Sequence, residues 1–345
     1  MLLPKFGLKS AVRHESGWAS VDAIYRDLDR AFAKQLEKTS LGDKQNYVYC
    51  YEDGALETFK VAKKLGITCV YDLPIAYWEK GRSLMSEEAE RLPQWAATLG
   101  GGISDSVEKL ERKTKELELA DVIVGPGSFV MDSLPSWASE KLRIVSPFGS
   151  PSAPSSAEIE EAETERKRRV KAGEPLRVLF VGSMGQRKGL GDLFSAVKKL
   201  NRKDLELVVM GSPQESMEFY RNEFSSFTYE AGRSHPEVLK LMRSCDVFCL
   251  PSIVEGRALV MQEAMSQGLP LIVTPHTGGE DLIIEGETGF LVPIRSADLI
   301  AEKISWFADN RGEVPQMSSY ARHHAARYTW EAYGEAVVSG ILEAR

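Results

Sequence analysis

With 345 residues, a net charge of −7 and a pI near 5.5, the chain is long enough for about two domains and lacks the basic surplus of a general nucleic-acid binder. Its hydrophobic fraction of 43% and charged fraction of 27% are those of a soluble globular protein, with room for a local basic pocket that takes phosphate. No apolar stretch reaches the ~18 residues of a transmembrane segment. The opening MLLPKFGLKSAVRHESGW has no apolar signal-peptide region. Cys50, Cys69, Cys245 and Cys249 sit in or beside apolar runs and read as small buried hydrophobes. Cys245 and Cys249 have no second pair to complete a zinc set, so no metal site is expected. Free thiols fit a reducing compartment, and the expectation is a cytoplasmic protein with peripheral membrane contact left open.

Short apolar runs alternate with amphipathic stretches, which predicts a parallel α/β architecture. In the first half, strands are expected at Tyr47–Tyr51, Ile67–Asp72, Asp121–Val124 and Arg143–Ser146. Helices are expected at Val21–Leu36, Ala55–Leu65, Ser83–Leu92 and Val107–Leu119. The first clear strand comes late, at Tyr47, after a polar helical opening. Residues 1–150 therefore read as a Rossmann-like domain about two strand–helix units short. Residues 151–175 are Pro/Ser/Ala-rich and then charged, and read as a surface linker or a solvated helix. In the second half, strands are expected at Arg177–Val181, Leu205–Met210, Val247–Leu250, Leu271–Thr274 and Gly289–Val292. Helices are expected at Gly191–Leu200, Glu237–Arg243, Ala258–Gln267, Ala297–Asp309 and Trp330–Leu342.

Three strand-to-helix loops carry chemistry. The first is VLFVGSMGQRKG, residues 178–189, where a buried strand ends in Gly182 and Gly185 before Arg187-Lys188-Gly189. Glycines let backbone amides approach an anion, the next helix N-terminus favours negative charge, and Arg187 and Lys188 supply full charges for a diphosphate. The spacing is not that of a Walker A loop. The second is LPSIVEGRALVMQEAMSQGLPLIVT, residues 250–274, with Glu255 in the loop and Glu263 on the helix. Gly256 permits a tight turn that frees amides near Arg257, Ala258 and Leu259 for phosphate oxygens. The apolar flanks of Glu263 leave its carboxylate in need of a partner such as ribose hydroxyls. The third is VTPHTGGEDLI, residues 273–283, where Gly278-Gly279 allow close backbone approach; His276 there reads as structural. Ligands bind at the carboxyl ends of strands in such sheets, and all three loops lie there.

These residues resemble the donor domain of retaining GT-B glycosyltransferases of family 4. The frame is Pro251-Ser252, Glu255-Gly256, Glu263-Ala264-Met265, Gly268, Pro270 and Thr274, with Gly182, Lys188-Gly189, Gly278-Gly279 and Gly289-Phe290-Leu291-Val292 in the family's order. The resemblance is strong over residues 176–345 and weaker from about residue 47. It implies a GT-B fold: two Rossmann-like domains with parallel sheets facing across a cleft, the N-terminal one incomplete. Residues 176–328 would bind the donor, and a helix from Trp330 would return to the first domain. It also implies that Glu263 binds ribose and Glu255 the transferred sugar. Amides near Arg257–Leu259 would hold the diphosphate with Lys188, and Arg233-Ser234 would lie near the base. The implied reaction moves a sugar from a nucleotide-sugar, a substrate rather than a cofactor, without a bound metal. The acceptor, whether glycan, lipid or small molecule, is unassigned.

Two positions depart from the family. Ser183 stands where the family often has arginine, with Arg187 beside Lys188 as the replacement charge. Tyr71 stands where a histidine often contacts the donor sugar, before Asp72. These departures and the short first half keep a second reading open, a truncated or non-catalytic nucleotide-sugar-binding relative. A nicotinamide-linked dehydrogenase is disfavoured because no G-x-G-x-x-G follows an early strand.

Overall fold

The computed structural model describes residues 9–42 and 45–343, so the part of the N-terminal reading that rests on residues 1–8 lies outside the described residues. The first sheet holds β1 (Tyr47–Tyr51), β2 (Thr68–Asp72), β3 (Val122–Gly125) and β4 (Leu142–Val145), all parallel and in sequence order. The second holds β5 (Leu176–Val181), β6 (Leu205–Met210), β7 (Phe227–Glu230), β8 (Val247–Leu250), β9 (Leu271–Val273) and β10 (Gly289–Leu291). Its order is β10-β9-β8-β5-β6-β7, again all parallel. Buried runs such as Val-Phe-Cys-Leu in β8 are apolar throughout because helices cover both faces of a parallel sheet.

The helices of the first half are α1 (Val21–Leu36), α2 (Leu56–Lys64), α3 (Trp78–Arg91), α4 (Val107–Leu119) and α5 (Ser128–Asp132). Those that follow are α6 (Ser156–Lys171), α7 (Leu190–Leu200), α8 (Met217–Glu223), α9 (His235–Arg243), α10 (Leu259–Ser266), α11 (Ala297–Asp309), α12 (Val314–Ala325) and α13 (Trp330–Glu343). Local chemistry sets several starts. Ser20 caps α1 by accepting from the Ala23 amide at 3.1 Å, and Ser155 and Glu158 form a capping box on α6.

Most elements lie within a residue or two of their expected bounds, and the exceptions have physical causes. Helix α3 begins at Trp78, five residues before the expected Ser83. In the fold Gly81 is buried within the helix, where a Cβ would stand 3.7 Å from Val254 of the second half. Strand β7 has no apolar run to announce it; it is an edge strand with only Phe227 buried. Residues 156–171 form helix α6, whose Arg166 and Arg169 are buried on Asp246 at the start of β8.

The largest core lies around the second sheet. The first sheet has a core on each face, one under α2 and α4 and one under α13, whose Val337 and Ile341 pack on Val70, Val122, Val124 and Ile144. The halves are joined more deeply than a linker would join them. Trp95, in the 3₁₀ turn Pro93–Thr98 after α3, is 1% exposed and belongs to the second half's core. It packs against Phe194, Phe219 and Tyr220 with centroids 4.9–5.9 Å away. All four cysteines are free and buried, and no helix among the described residues is long and apolar enough to cross a membrane.

Candidate functional site

The second sheet reverses its strand order beside β5, which pairs with β6 on one side and β8 on the other. Such a reversal opens a crevice between the loops that leave the two strands in opposite directions, the standard ligand position in an open α/β sheet. The loops leaving β5 and β8 are residues 182–189 and 251–258, two of the three singled out in sequence. The third, 274–279, follows β9, the next strand over.

At this crevice the chain brings Arg187, Lys188 and Glu255 together. Arg187 Nη1 donates to Glu255 Oε1 at 2.7 Å and to the Val254 carbonyl at 3.1 Å. Lys188 Nζ is ion-paired with the same carboxylate oxygen. Burial pushes the Lys188 ammonium below the usual lysine range, with Arg187 adding to the depression and Glu255 opposing it. Lys188 reaches this position because Gly189 turns with φ +75°, and a Cβ there would collide with the Pro251 carbonyl. Gly182 lies against the lysine's aliphatic stem, where a Cβ would stand 3.7 Å away, and Ser183 is half-buried beside it. Two cations on one carboxylate oxygen form a site whose positive charge suits a phosphate.

The second loop corrects one expectation about Gly256. It has no positive φ, so it does not serve as a conformational hinge. A Cβ there would collide with the carbonyl oxygen of Pro74 in the loop after β2, and the Ala76 amide donates to the Glu255 carbonyl at 3.4 Å. Gly256 is therefore a contact glycine that lets the two halves meet. The expectation of three free amides also needs correction. The Ala258 amide donates to the Thr277 carbonyl at 3.1 Å, which leaves those of Arg257 and Leu259 without a hydrogen bond among the described residues. Helix α10 has no side-chain cap at Ala258, so its N-terminal field faces the crevice unopposed. The Arg257 side chain points away, buried against Gln262 (2.7 Å), the Gly278 carbonyl (2.9 Å) and Asp281 (2.7 Å). It is structural, and only its amide is available to the crevice.

Glu263 lies on α10 as expected, about one-fifth exposed, and its Oε1 is 3.1 Å from His235 Nε2. Sequence reading missed this histidine, although it adjoins Arg233 and Ser234. Ser234 caps α9, its amide and hydroxyl both bonded to Glu237, and Arg233 is paired with Glu230. His276 lies partly buried in the third loop. Its Nδ1 donates to the Ile253 carbonyl (2.8 Å), its ring stacks on Phe129 of the first half at 4.1 Å, and burial lowers its pKa. Tyr71 is fully buried, its hydroxyl 3.4 Å from Glu116. Among the described residues, His14, Glu15 and Asp105 have metal-ligand spacing, and Lys109 Nζ lies 3.3 Å from Asp105.

Residues 161–324 match the family model for glycosyl transferases group 1. A D-inositol 3-phosphate glycosyltransferase of Corynebacterium efficiens is 30% identical over 201 residues, covering 52% of this chain and 46% of the relative. Another, from Corynebacterium urealyticum, is 27% identical over 256 residues, covering 66% and 58%. The chain thus spans about half the length of the curated relatives it matches. Among solved structures, sucrose-phosphate synthase from Thermosynechococcus elongatus superposes with a TM-score of 0.66 at 20% identity, over 95% of this chain and 80% of that one. Anabaena HepE in complex with UDP superposes with a TM-score of 0.67 at 14% identity, over 92% and 82%. At such identities the structures show the fold alone. Residues 161–324 thus carry the sequence pattern of the group 1 glycosyl transferases, and the chain has the GT-B architecture of two parallel sheets.

Proposed function

We propose that this chain transfers a sugar from a nucleotide-diphosphate sugar to an acceptor with retention of configuration and without a bound metal, as a family 4 enzyme. The observation that carries this reading is the convergence of Arg187, Lys188 and Glu255 at the switch point between β5 and β8. A diphosphate entering the crevice competes with Glu255 for the two cations. The freed carboxylate then turns to hydroxyls of the transferred sugar, and Glu263 accepts from the ribose hydroxyls. As the glycosidic bond to the diphosphate breaks, negative charge grows on the leaving phosphate. Lys188, Arg187 and the amides of Arg257 and Leu259 are already in place to stabilise it, and such preorganised charge is where most of the rate acceleration arises. Residues 176–328 serve as the donor domain, and residues 1–150 form the acceptor side. We place the protein in the cytoplasm, where its four buried free thiols stay reduced, with peripheral membrane contact if the acceptor is a lipid.

The buried Tyr71 supports a second reading, a nucleotide-sugar-binding relative without turnover, since no side chain replaces the family's histidine at that position. A thermal-shift screen against UDP, GDP, ADP and their sugar conjugates, with Glu263→Ala alongside, tests the donor site. Ligand at 100 times its dissociation constant adds about 2.7 kcal/mol. A shift with one nucleotide family that disappears in the variant supports the reading, and an equal shift in the variant overturns the role of Glu263. Sugar release from the same nucleotide-sugar then separates the enzyme from the binding relative.

A further inference from the structure

Next to the two crevice cations lies a buried polar cluster that the donor reading does not use. Gln186, fully buried, immediately precedes Arg187 in the 3₁₀ turn Gln186–Lys188. All of its polar groups are engaged, two of them by the first half of the chain. Its amide N–H donates to Thr98 Oγ1 at 2.9 Å. Its Nε2 donates to Glu88 Oε1 of α3 and to Asp192 Oδ2 of α7, both at 2.8 Å, and its Oε1 accepts from the Gly191 amide at 2.8 Å.

The carboxylates around it are fixed in turn. Glu88, fully buried, accepts from Arg91 Nε at 3.0 Å and from Arg295 Nε at 2.7 Å. Arg91 grips Asp192 with two bonds of 2.9 and 2.7 Å, and Arg295 reaches on to Glu87 at 2.9 Å. The two buried carboxylates, Glu88 and Asp192, are thus matched by two guanidiniums, and the neutral amide of Gln186 joins them. The packing admits little movement. A Cβ on Gly185 would collide with the Thr98 carbonyl, and one on Gly191 would stand 2.6 Å from Gln186 Oε1 and 3.0 Å from Trp95.

We infer that Gln186 is a positioning residue that aims Arg187 and Lys188 at the donor diphosphate, and that Glu88 and Thr98 of the first half hold it in that role. The inference rests on the donor reading of the crevice. It makes the first half a contributor to diphosphate affinity as well as to acceptor binding. A buried, fully satisfied polar network fixes one geometry, because each member left without its partner would be a buried unpaired group.

The readout is the preference for a nucleoside diphosphate over its monophosphate, since only the diphosphate reaches both cations in full. UDP, GDP and ADP are each titrated against UMP, GMP and AMP by calorimetry. In the wild-type protein one diphosphate binds more tightly than its monophosphate. Gln186→Leu is expected to cut that preference at least tenfold and leave monophosphate affinity unchanged. Thr98→Val, which removes a single acceptor from the first half, is expected to cut it several-fold and serves where Gln186→Leu does not fold. A folded Thr98→Val or Gln186→Leu protein with the wild-type preference overturns the inference, as does an equal loss for mono- and diphosphate. A wild-type protein that binds none of the six nucleotides overturns the donor reading itself and this inference with it.

Discussion

In the second half the sheet reverses direction beside β5, six strands are covered on both faces, and the loops that leave the reversal carry Arg187, Lys188 and Glu255. In the first half the four strands follow one another in order, and the described residues contain no reversal. Strand β1 is an open edge with Tyr49 and Tyr51 each more than two-fifths exposed. Beside it, Ile24, Leu28 and Phe32 of α1 form an outward apolar stripe, with a groove of about 320 Å³ between helix and strand. Among the described residues, the second half alone therefore makes a binding crevice from its own strand order. The first half acts by contact: Pro74 presses on Gly256, Phe129 stacks on His276, and Glu88 and Thr98 hold Gln186. The same alternation of strand and helix yields a site only where the strand order turns back on itself.

The division can be broken most forcefully at Asp246. Its carboxylate accepts from Arg166 (3.2 Å), from Arg169 (3.0 and 2.8 Å) and from the Arg177 amide (2.8 Å). Asp246→Ala leaves two buried guanidiniums uncompensated and is expected to cost about 3–5 kcal/mol, read as a lower denaturant midpoint. An unchanged midpoint would detach helix α6 from the second half's stability. Gly256→Ala drives a methyl into the Pro74 carbonyl and forces the halves apart at the crevice. Turnover is expected to fall about 100-fold, the usual cost of an ångström's misplacement, and near-normal turnover would show that the contact is dispensable.

Lys188→Met sharpens the account of the second half alone. It is expected to remove about 1.5–3 kcal/mol of diphosphate affinity, the range for a hydrogen bond to a charged group. The wild-type pH profile gives the same test without a substitution. Phosphate binding needs the ammonium, and burial lowers its pKa. Diphosphate affinity should therefore fall as pH rises, beginning below the range of an exposed lysine, and calorimetry should show proton uptake on binding there.

For the first half, the decisive carboxyl is Glu116. It accepts from the amides of Asp53 (2.9 Å), Ala55 (3.1 Å) and Leu56 (3.2 Å), and burial raises its pKa to about 7 despite the opposing charge of Arg112. A carboxyl raised in the folded state binds more protons there than in the unfolded chain. Its contribution to stability is thus fully present below its unfolded value and is lost as pH rises toward 7 and beyond. The thermal midpoint should decline over that window, and Glu116→Gln should flatten the decline. The smallest effect is expected on α1: Leu28 is 61% exposed, so Leu28→Ser should change stability by less than about 0.5 kcal/mol. A larger loss would mean that the stripe is covered in solution.

Periodicity and punctuation alone located nearly every buried strand, because apolar runs such as those of β5 and β8 leave no other fate for their side chains. Spacing alone also brought out Lys188, Glu255 and Glu263, since a glycine turn followed by a cation or carboxylate at a strand's end has few other uses. Partners distant in sequence were not legible. Nothing local shows that Glu255 holds two cations 67 and 68 positions away, or that His235 meets Glu263 across 28 residues. Gly256 looked like a turn glycine, and only the approach of Pro74, 182 positions earlier, reveals a contact glycine. Arg257 looked like a crevice residue, but Asp281 and the Gly278 carbonyl draw its side chain away. The sequence determined the elements and the residue types at their ends, because those depend on neighbours along the chain. The tertiary structure decided which charge faces which and which glycine admits which backbone, because those depend on neighbours in space.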